Sequence, residues 1–196
     1  WRVMEQYYKP FPVCRWAQPP VQAVLSLRQA HGLRSTDIAR IEIVTFHQSL
    51  RLATRTPATT EEAQYSTAYP AAVAAVRGTI GPADIAEAAF SDPEIRRLAE
   101  GMRVTESGLY NAAFPARRLA HAVLVLHSGT RLQSPPTEAR GDPEAMVGRD
   151  EMCAKFHACA DPVLGAPRAR ALRAAAEGLT PGQPAGTLLD LAVAKP

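Results

Sequence analysis

Ile41-Glu-Ile-Val-Thr-Phe46 is the run that decides how this chain folds. Branching at Cβ stiffens the side chains and favours a pleated, packed surface, so the run predicts a buried, central strand. Leu119–Leu126 is the second clear strand, and Ser128-Gly129 turns it into Thr130–Gln133, a hairpin. Arg103–Thr105 can start a further strand.

Helical spacing fills the intervals. Val21, Val24 and Leu25 predict a helix over Pro19–Ala30, with Gly32 as its stop. Ser35 is placed to cap a single turn through Ile38, and the residues from His47 to Pro57 read as a connection. Thr59-Thr-Glu-Glu62 is a capping-box pattern that opens an alanine-rich helix to about Arg77, stopped by Gly78. Pro70 lies inside that helix and lacks a backbone donor, which predicts a kink or break there. Gly81-Pro82 makes a turn into a short helix over Ala83–Phe90. Asp92-Pro93 then starts another helix, whose buried stripe is Ile95, Leu98, Ala99 and Met102.

Residues Ser134–Gly148 are rich in proline, glycine and charge and read as a surface loop. Two helices follow, Arg149–Ala160 and Pro167–Glu177, then a Pro/Gly linker and at most a docked helical turn over Thr187–Ala194. Strands and helices mix without βαβ alternation. The pattern predicts an α+β fold, a small mixed or antiparallel sheet with helices packed on it. It divides the chain into a domain over 1–178 and a tail over 179–196.

The 196 residues suffice for one domain with a substantial core. Lys+Arg 22 against Asp+Glu 19 leaves a net charge of +3, with the basic residues scattered. That argues against a nucleic-acid or membrane footprint and makes a small anion the more economical partner. No apolar run is long enough to cross a bilayer, and no signal peptide opens the chain. Three cysteines are too few for a disulfide scaffold, so a reducing, cytoplasmic compartment is expected. The chain starts at Trp1, and Trp1, Val3, Tyr7 and Tyr8 are too apolar for a loose tail, so it reads as a piece of something longer.

Lys9-Pro-Phe-Pro-Val-Cys14 carries the candidate chemistry. Its prolines restrict the backbone on both sides of Phe11 and hold a lysine and a thiol at the ends of a stiff arm. Taken alone, the arm reads first as an extended lead-in with a solvated lysine, since most lysines are solvated; its company further along the chain changes that. Tyr69, just before Pro70, is the phenol to watch. Cys153 and His157 share a helical face, but two ligands do not make a metal site and a packed thiol explains the cysteine. His31 and His121 read as structural or solvated. No phosphate-binding glycine loop or nucleophile elbow is present.

Taken together, three blocks resemble the MmgE/PrpD family: Lys9-Pro-Phe-Pro-Val-Cys14, Gly32 through Val44, and Glu62-Ala-Gln-Tyr-Ser-Thr-Ala-Tyr69 with Gly78 after it. Asp92-Pro93, Ser128-Gly129, Gly141-Asp142-Pro143-Glu144 and Lys155-Phe156 extend the likeness across about Val3–Glu177. The family includes 2-methylcitrate dehydratase, cis-aconitate decarboxylase and an iminodisuccinate epimerase. The resemblance implies cofactor-independent, homodimeric, two-domain enzymes, in which a helical N-terminal domain meets a smaller, lid-like α+β C-terminal domain. This chain resembles the C-terminal domain only.

Carried over by position, Lys9, Tyr69 and Cys14 are the implied catalytic residues, and Gln18, Arg15 and Gln64 the implied substrate-binding ones. No metal or cofactor is implied. An ammonium at Lys9 would offset the charge of a di- or tricarboxylate and stabilise enolate character beside it. Tyr69 would donate a hydrogen bond or proton; Cys14 would do so weakly or simply pack. Many members carry histidine where this chain has Gln18, and an amide cannot shuttle protons near neutral pH. The expected function is therefore one half of a dehydratase or decarboxylase, inactive without the helical domain in cis or as a separate chain. The alternative is a non-catalytic anion-binding or subunit-interaction module.

Overall fold

The structure is a computed structural model and describes residues 2–182 and 184–193; the readings at Trp1 and Ala194 fall outside them. The chain forms two compact units, residues 1–146 and 147–196.

In the first unit, a 3-10 turn over Arg2–Glu5 leads to the arm, and a second over Arg15–Ala17 leads into helix α1, Gln18–His31. Gly32 ends α1 in the left-handed conformation at φ 59°, as its position after the apolar spacing predicts. Strand β1 is Ile38–Thr45. Short helices α2, His47–Leu50, and α3, Thr60–Gln64, precede α4, Ala68–Arg77, and α5, Pro93–Glu100. Strand β2, Arg103–Glu106, is followed by α6, Gly108–Ala113. Strands β3, Leu119–Leu126, β4, Arg131–Gln133, and β5, Thr137–Glu138, complete the unit's sheet.

The sheet order is β2-β1-β3-β4, with β5 paired to the start of β3. β1 runs parallel to β2 and antiparallel to β3, so the sheet is mixed and the fold is α+β. The central place predicted for Ile41–Phe46 is the one β1 occupies. A register shift between Ile38 and Arg40 lets Ile38 join Ile41 and Ile43 in the core. Helices α1, α4 and α5 form the layer against the buried side chains of β1 and β3. In α4, Ala68, Ala71, Ala72, Ala74 and Ala75 are all buried, and their small side chains let α1 and α5 approach closely.

Several local expectations are corrected. The alanine-rich helix does not break at Pro70 but upstream, at residues 65–67, where Ser66 Oγ accepts the Tyr69 N–H at 2.9 Å. Pro70 is then the third residue of α4, where a helix has no use for the missing donor. Thr59 caps as predicted, accepting the Glu62 N–H at 3.2 Å, but Glu62 reaches back to Ala58 rather than Thr59. The helix expected over Ala83–Phe90 is two separate 3-10 turns, Pro82–Ile85 and Glu87–Ala89. The Asp84 carbonyl is taken by the Tyr69 hydroxyl at 2.8 Å instead of by a following backbone N–H. At the Ser35 turn the working cap is Asp37, whose carboxylate accepts the Arg34 N–H at 2.8 Å. The loop expected over Ser134–Gly148 is partly interior: it contains β5, and Ser134, Ala139 and Gly141 are buried.

The second unit comprises α7, Arg149–Leu164, α8, Ala166–Glu177, and α9, Gly186–Val193. The Pro/Gly segment after Gly178 lies within this unit, between α8 and α9. No helix among the described residues is long and apolar enough to cross a membrane.

On the sheet's outer face Glu42 sits between Arg131 and Arg40, at 2.7 Å from each. The Arg131 guanidinium first, and Arg40 second, hold its carboxyl down at about 2 instead of the ordinary 4.5. The unfolded chain therefore binds the proton first as pH falls. Stability conferred by ionised Glu42 is complete above about 4.5 and is lost progressively as pH falls through about 2. Urea unfolding of the chain and of Glu42→Gln across this range should show the two midpoints converging at the acid end. A gap of constant size would contradict the ion-pair account.

Candidate functional site

The arm owes its shape to Gln18, the first residue of α1. Its Nε2 donates to the carbonyls of Phe11 at 2.9 Å and Val13 at 3.1 Å, and its Oε1 accepts the Phe11 N–H at 3.2 Å. Both amide hydrogens and the carbonyl oxygen are thereby engaged, on a side chain that is buried. Prolines at 10 and 12 leave the arm few donors of its own, and one side chain satisfies the backbone groups between and beside them.

Arg15 ties the arm to the chain 125 residues further on. Its Nη1 donates to the Arg140 carbonyl at 2.9 Å, its Nη2 pairs with Asp142, and its guanidinium lies 4.6 Å from the centre of the Tyr7 ring. A buried guanidinium needs this degree of pairing. Beside it, Gly141 accepts the Tyr8 N–H at 2.6 Å. Gly141 has φ 89°, and a Cβ there would overlap the Tyr8 carbonyl oxygen. Residues 139–142 thus form a strap over the arm. Nothing in the local spacing singled out Asp142 or Gly141 for this role; the signal was only the Gly141-Asp142-Pro143-Glu144 block, whose Glu144 side chain lies outside the description.

At the arm's other end the Cys14 N–H donates to the Gln64 carbonyl at 2.8 Å, joining it to the last residue of α3. The Cys14 thiol is half-buried and unbridged, and Lys9 is half-buried at the head of the arm. Of the six residues singled out in the sequence, Cys14, Arg15, Gln18 and Gln64 are drawn into one hydrogen-bonded assembly around the arm. Gln18 and Arg15 point their polar groups at the protein's own backbone and at the strap.

Among the described residues Tyr69 makes its hydrogen bonds to Ser66 and Asp84 rather than to that assembly, although it belongs to the same buried cluster as Val13. It is 1% exposed, packs edge-on against Phe90, and gives its hydroxyl hydrogen to Asp84. Burial, reinforced by the Asp84 carboxylate, pushes the phenol up to about 12, so it remains a neutral donor at physiological pH. Tyr65, at the break between α3 and α4 and next to Gln64, is 57% exposed.

Outside the arm, His121 receives the Tyr110 hydroxyl at Nδ1 over 2.9 Å when neutral, and burial lowers its affinity for a proton. In the second unit, His157 pairs with Asp161 at 2.9 Å and the Cys153 thiol lies against Glu177.

A mixed sheet with one helical layer, its first helix preceded by a braced Lys-Pro-Phe-Pro arm, defines a small α+β domain with a built N-terminal edge. The family model for the MmgE/PrpD C-terminal domain matches residues 11–180, so the chain belongs to the MmgE/PrpD family and represents its C-terminal domain. The match contains Cys14, Arg15, Gln18, Gln64 and Tyr69 and begins just after Lys9 and Pro10. No curated protein matches the chain.

Proposed function

We propose that this domain supplies the Lys9 arm to the active site of a cofactor-independent lyase, a dehydratase or decarboxylase of small di- or tricarboxylates such as 2-methylcitrate or cis-aconitate. The observation that carries the reading is the bracing of the arm: Gln18 and the 139–142 strap spend buried polar groups on holding a six-residue segment in one shape. Such rigidity serves a group that must meet a substrate in fixed geometry. In this reading Lys9 binds a carboxylate and stabilises charge developing beside it, and Cys14 lines the same wall. Gln18, Arg15 and Gln64 position the arm. Tyr69 contributes its neutral hydroxyl only by exchanging Asp84 for substrate. The remaining groups come from a helical N-terminal domain, in cis or as a separate chain, within a homodimer in the cytoplasm.

The test is turnover of methylcitrate and cis-aconitate by this chain alone, and after joining it to the helical domain of a family member. The isolated chain should be inactive and the joined protein active. Lys9→Ala should abolish that activity with an unchanged circular dichroism spectrum; full activity of Lys9→Ala would sink the reading.

One observation favours a second reading, a non-catalytic anion-binding or subunit-interaction module. Gln18 carries no proton to transfer where many members have histidine, and Gln18 and the Tyr69 phenol both direct their polar atoms at the protein's own backbone. A joined protein that assembles and binds the acids without turning them over would favour the module.

A further inference from the structure

Between the C-terminal ends of α1 and α4 lies a cavity of about 520 Å³, lined in part by Gln22, Leu25, Arg28, Gln29, Leu33 and Gly78. Its size falls in the range that small organic ligands occupy. Arg28 is the one charged residue of that lining, and it is underused. Among the described residues its one hydrogen bond is long, from Nη2 to the Val76 carbonyl at 3.4 Å, and its Nε, like those of Arg15, Arg118 and Arg173, is buried with no partner. No carboxylate among the described residues pairs with it, whereas Arg77, Arg97, Arg117 and Arg131 each hold one within 2.8 Å. Capping the end of α4 accounts for one of its five donors. At the end of α1 the N–H groups of Gly32 and Leu33, not Arg28, take the Arg28 and Gln29 carbonyls. Gly78, at φ 73°, leaves the space in which the guanidinium lies, since a Cβ there would overlap Nη1.

We propose that this cavity is an anion-binding site, taking the carboxylate or phosphoryl group of a small metabolite on Arg28, with the Gln22 and Gln29 amides and the Leu25 and Leu33 side chains around the rest of the ligand. A planar guanidinium with spare donors matches either oxyanion. The partial negative charge at the two helix ends works against the ligand, so the affinity is modest, with a Kd on the order of 1 mM. The site is independent of the lyase reading.

Amide NMR titrations of the chain with citrate, and separately with inorganic phosphate, test it and distinguish the two sources. The expected result is saturable shifts at Gly32, Leu33 and Gly78 with at least one of the two, weakened about tenfold by Arg28→Lys and unchanged by Lys9→Ala. Arg28→Lys keeps a cation at the end of α4, and the amide spectrum itself reports whether the variant folds. Absence of saturable shifts with both anions would overturn the proposal, as would a variant that binds like the parent. Shifts confined to Cys14 and Gln64 would place the anion at the arm, defeating this site and leaving the lyase reading intact.

Discussion

Replacing Gln18 by alanine is expected to lower stability by about 3 kcal/mol. Three hydrogen bonds disappear, to the Phe11 N–H, the Phe11 carbonyl and the Val13 carbonyl. Each contributes about 1 kcal/mol net, and a backbone group left without a partner in a part-buried place costs about 1–3 kcal/mol more wherever water cannot reach it. Water admitted beside the half-buried Phe11 recovers part of that second term, which is why the sum stays near the first. Gln18→His should cost about half as much, because a neutral imidazole offers one donor and one acceptor against the amide's two donors and one acceptor. The residue common in the family at this position would therefore loosen this particular arm. Urea unfolding of both variants provides the check. A change within about 0.5 kcal/mol for Gln18→Ala would mean that the prolines alone hold the arm.

Gly141→Ala is expected to cost about 3 kcal/mol or more, by a different route. At φ 89° an alanine is strained wherever it sits, and here its Cβ would also overlap the Tyr8 carbonyl oxygen. Neither side can yield cheaply, since that overlap is with backbone and the Tyr8 N–H already donates to Gly141 at 2.6 Å. The strap should lift, and with it the Arg140 carbonyl and Asp142 that pair with Arg15. A buried guanidinium stripped of its partners adds to the loss. Hydrogen exchange at the Tyr8 amide should accelerate together with the fall in stability. Exchange at the Leu124 amide, in the middle of β3, should follow only the global change. Parent-like protection at Tyr8 would show that the strap does not depend on the glycine.

How much of this was legible in the sequence follows from the range of each interaction. β1 could be read because Cβ branching acts within the residue, β3 because its apolar run is bounded by the Ser128-Gly129 turn, and the ends of α1 and α4 because glycine's left-handed conformation is a property of one position. Asp92 could be read as a cap, since its carboxylate accepts the N–H groups of Glu94 and Ile95 only a turn away. The break lies at 65–67 and not at Pro70 because the local rule weighs proline alone, while the Ser66 hydroxyl, bonded to the Tyr69 N–H, supports a new helix start at Ala68, two residues before the proline. The helix expected over Ala83–Phe90 failed for a long-range reason, the Tyr69 hydroxyl capturing a carbonyl that helix propagation requires.

By itself the sequence determined the strand cores, the Thr59 and Asp92 caps, the stiffness of Lys9–Cys14 and the family likeness, because each rests on chemistry confined to a few neighbouring residues. Only the tertiary structure decided that Gln18 turns back onto the arm, that Arg15 reaches Arg140 and Asp142, and that Tyr69 faces Asp84. The physical reason is that a buried polar group must be satisfied, and which distant backbone satisfies it depends on how the sheet and helices bring separate segments together.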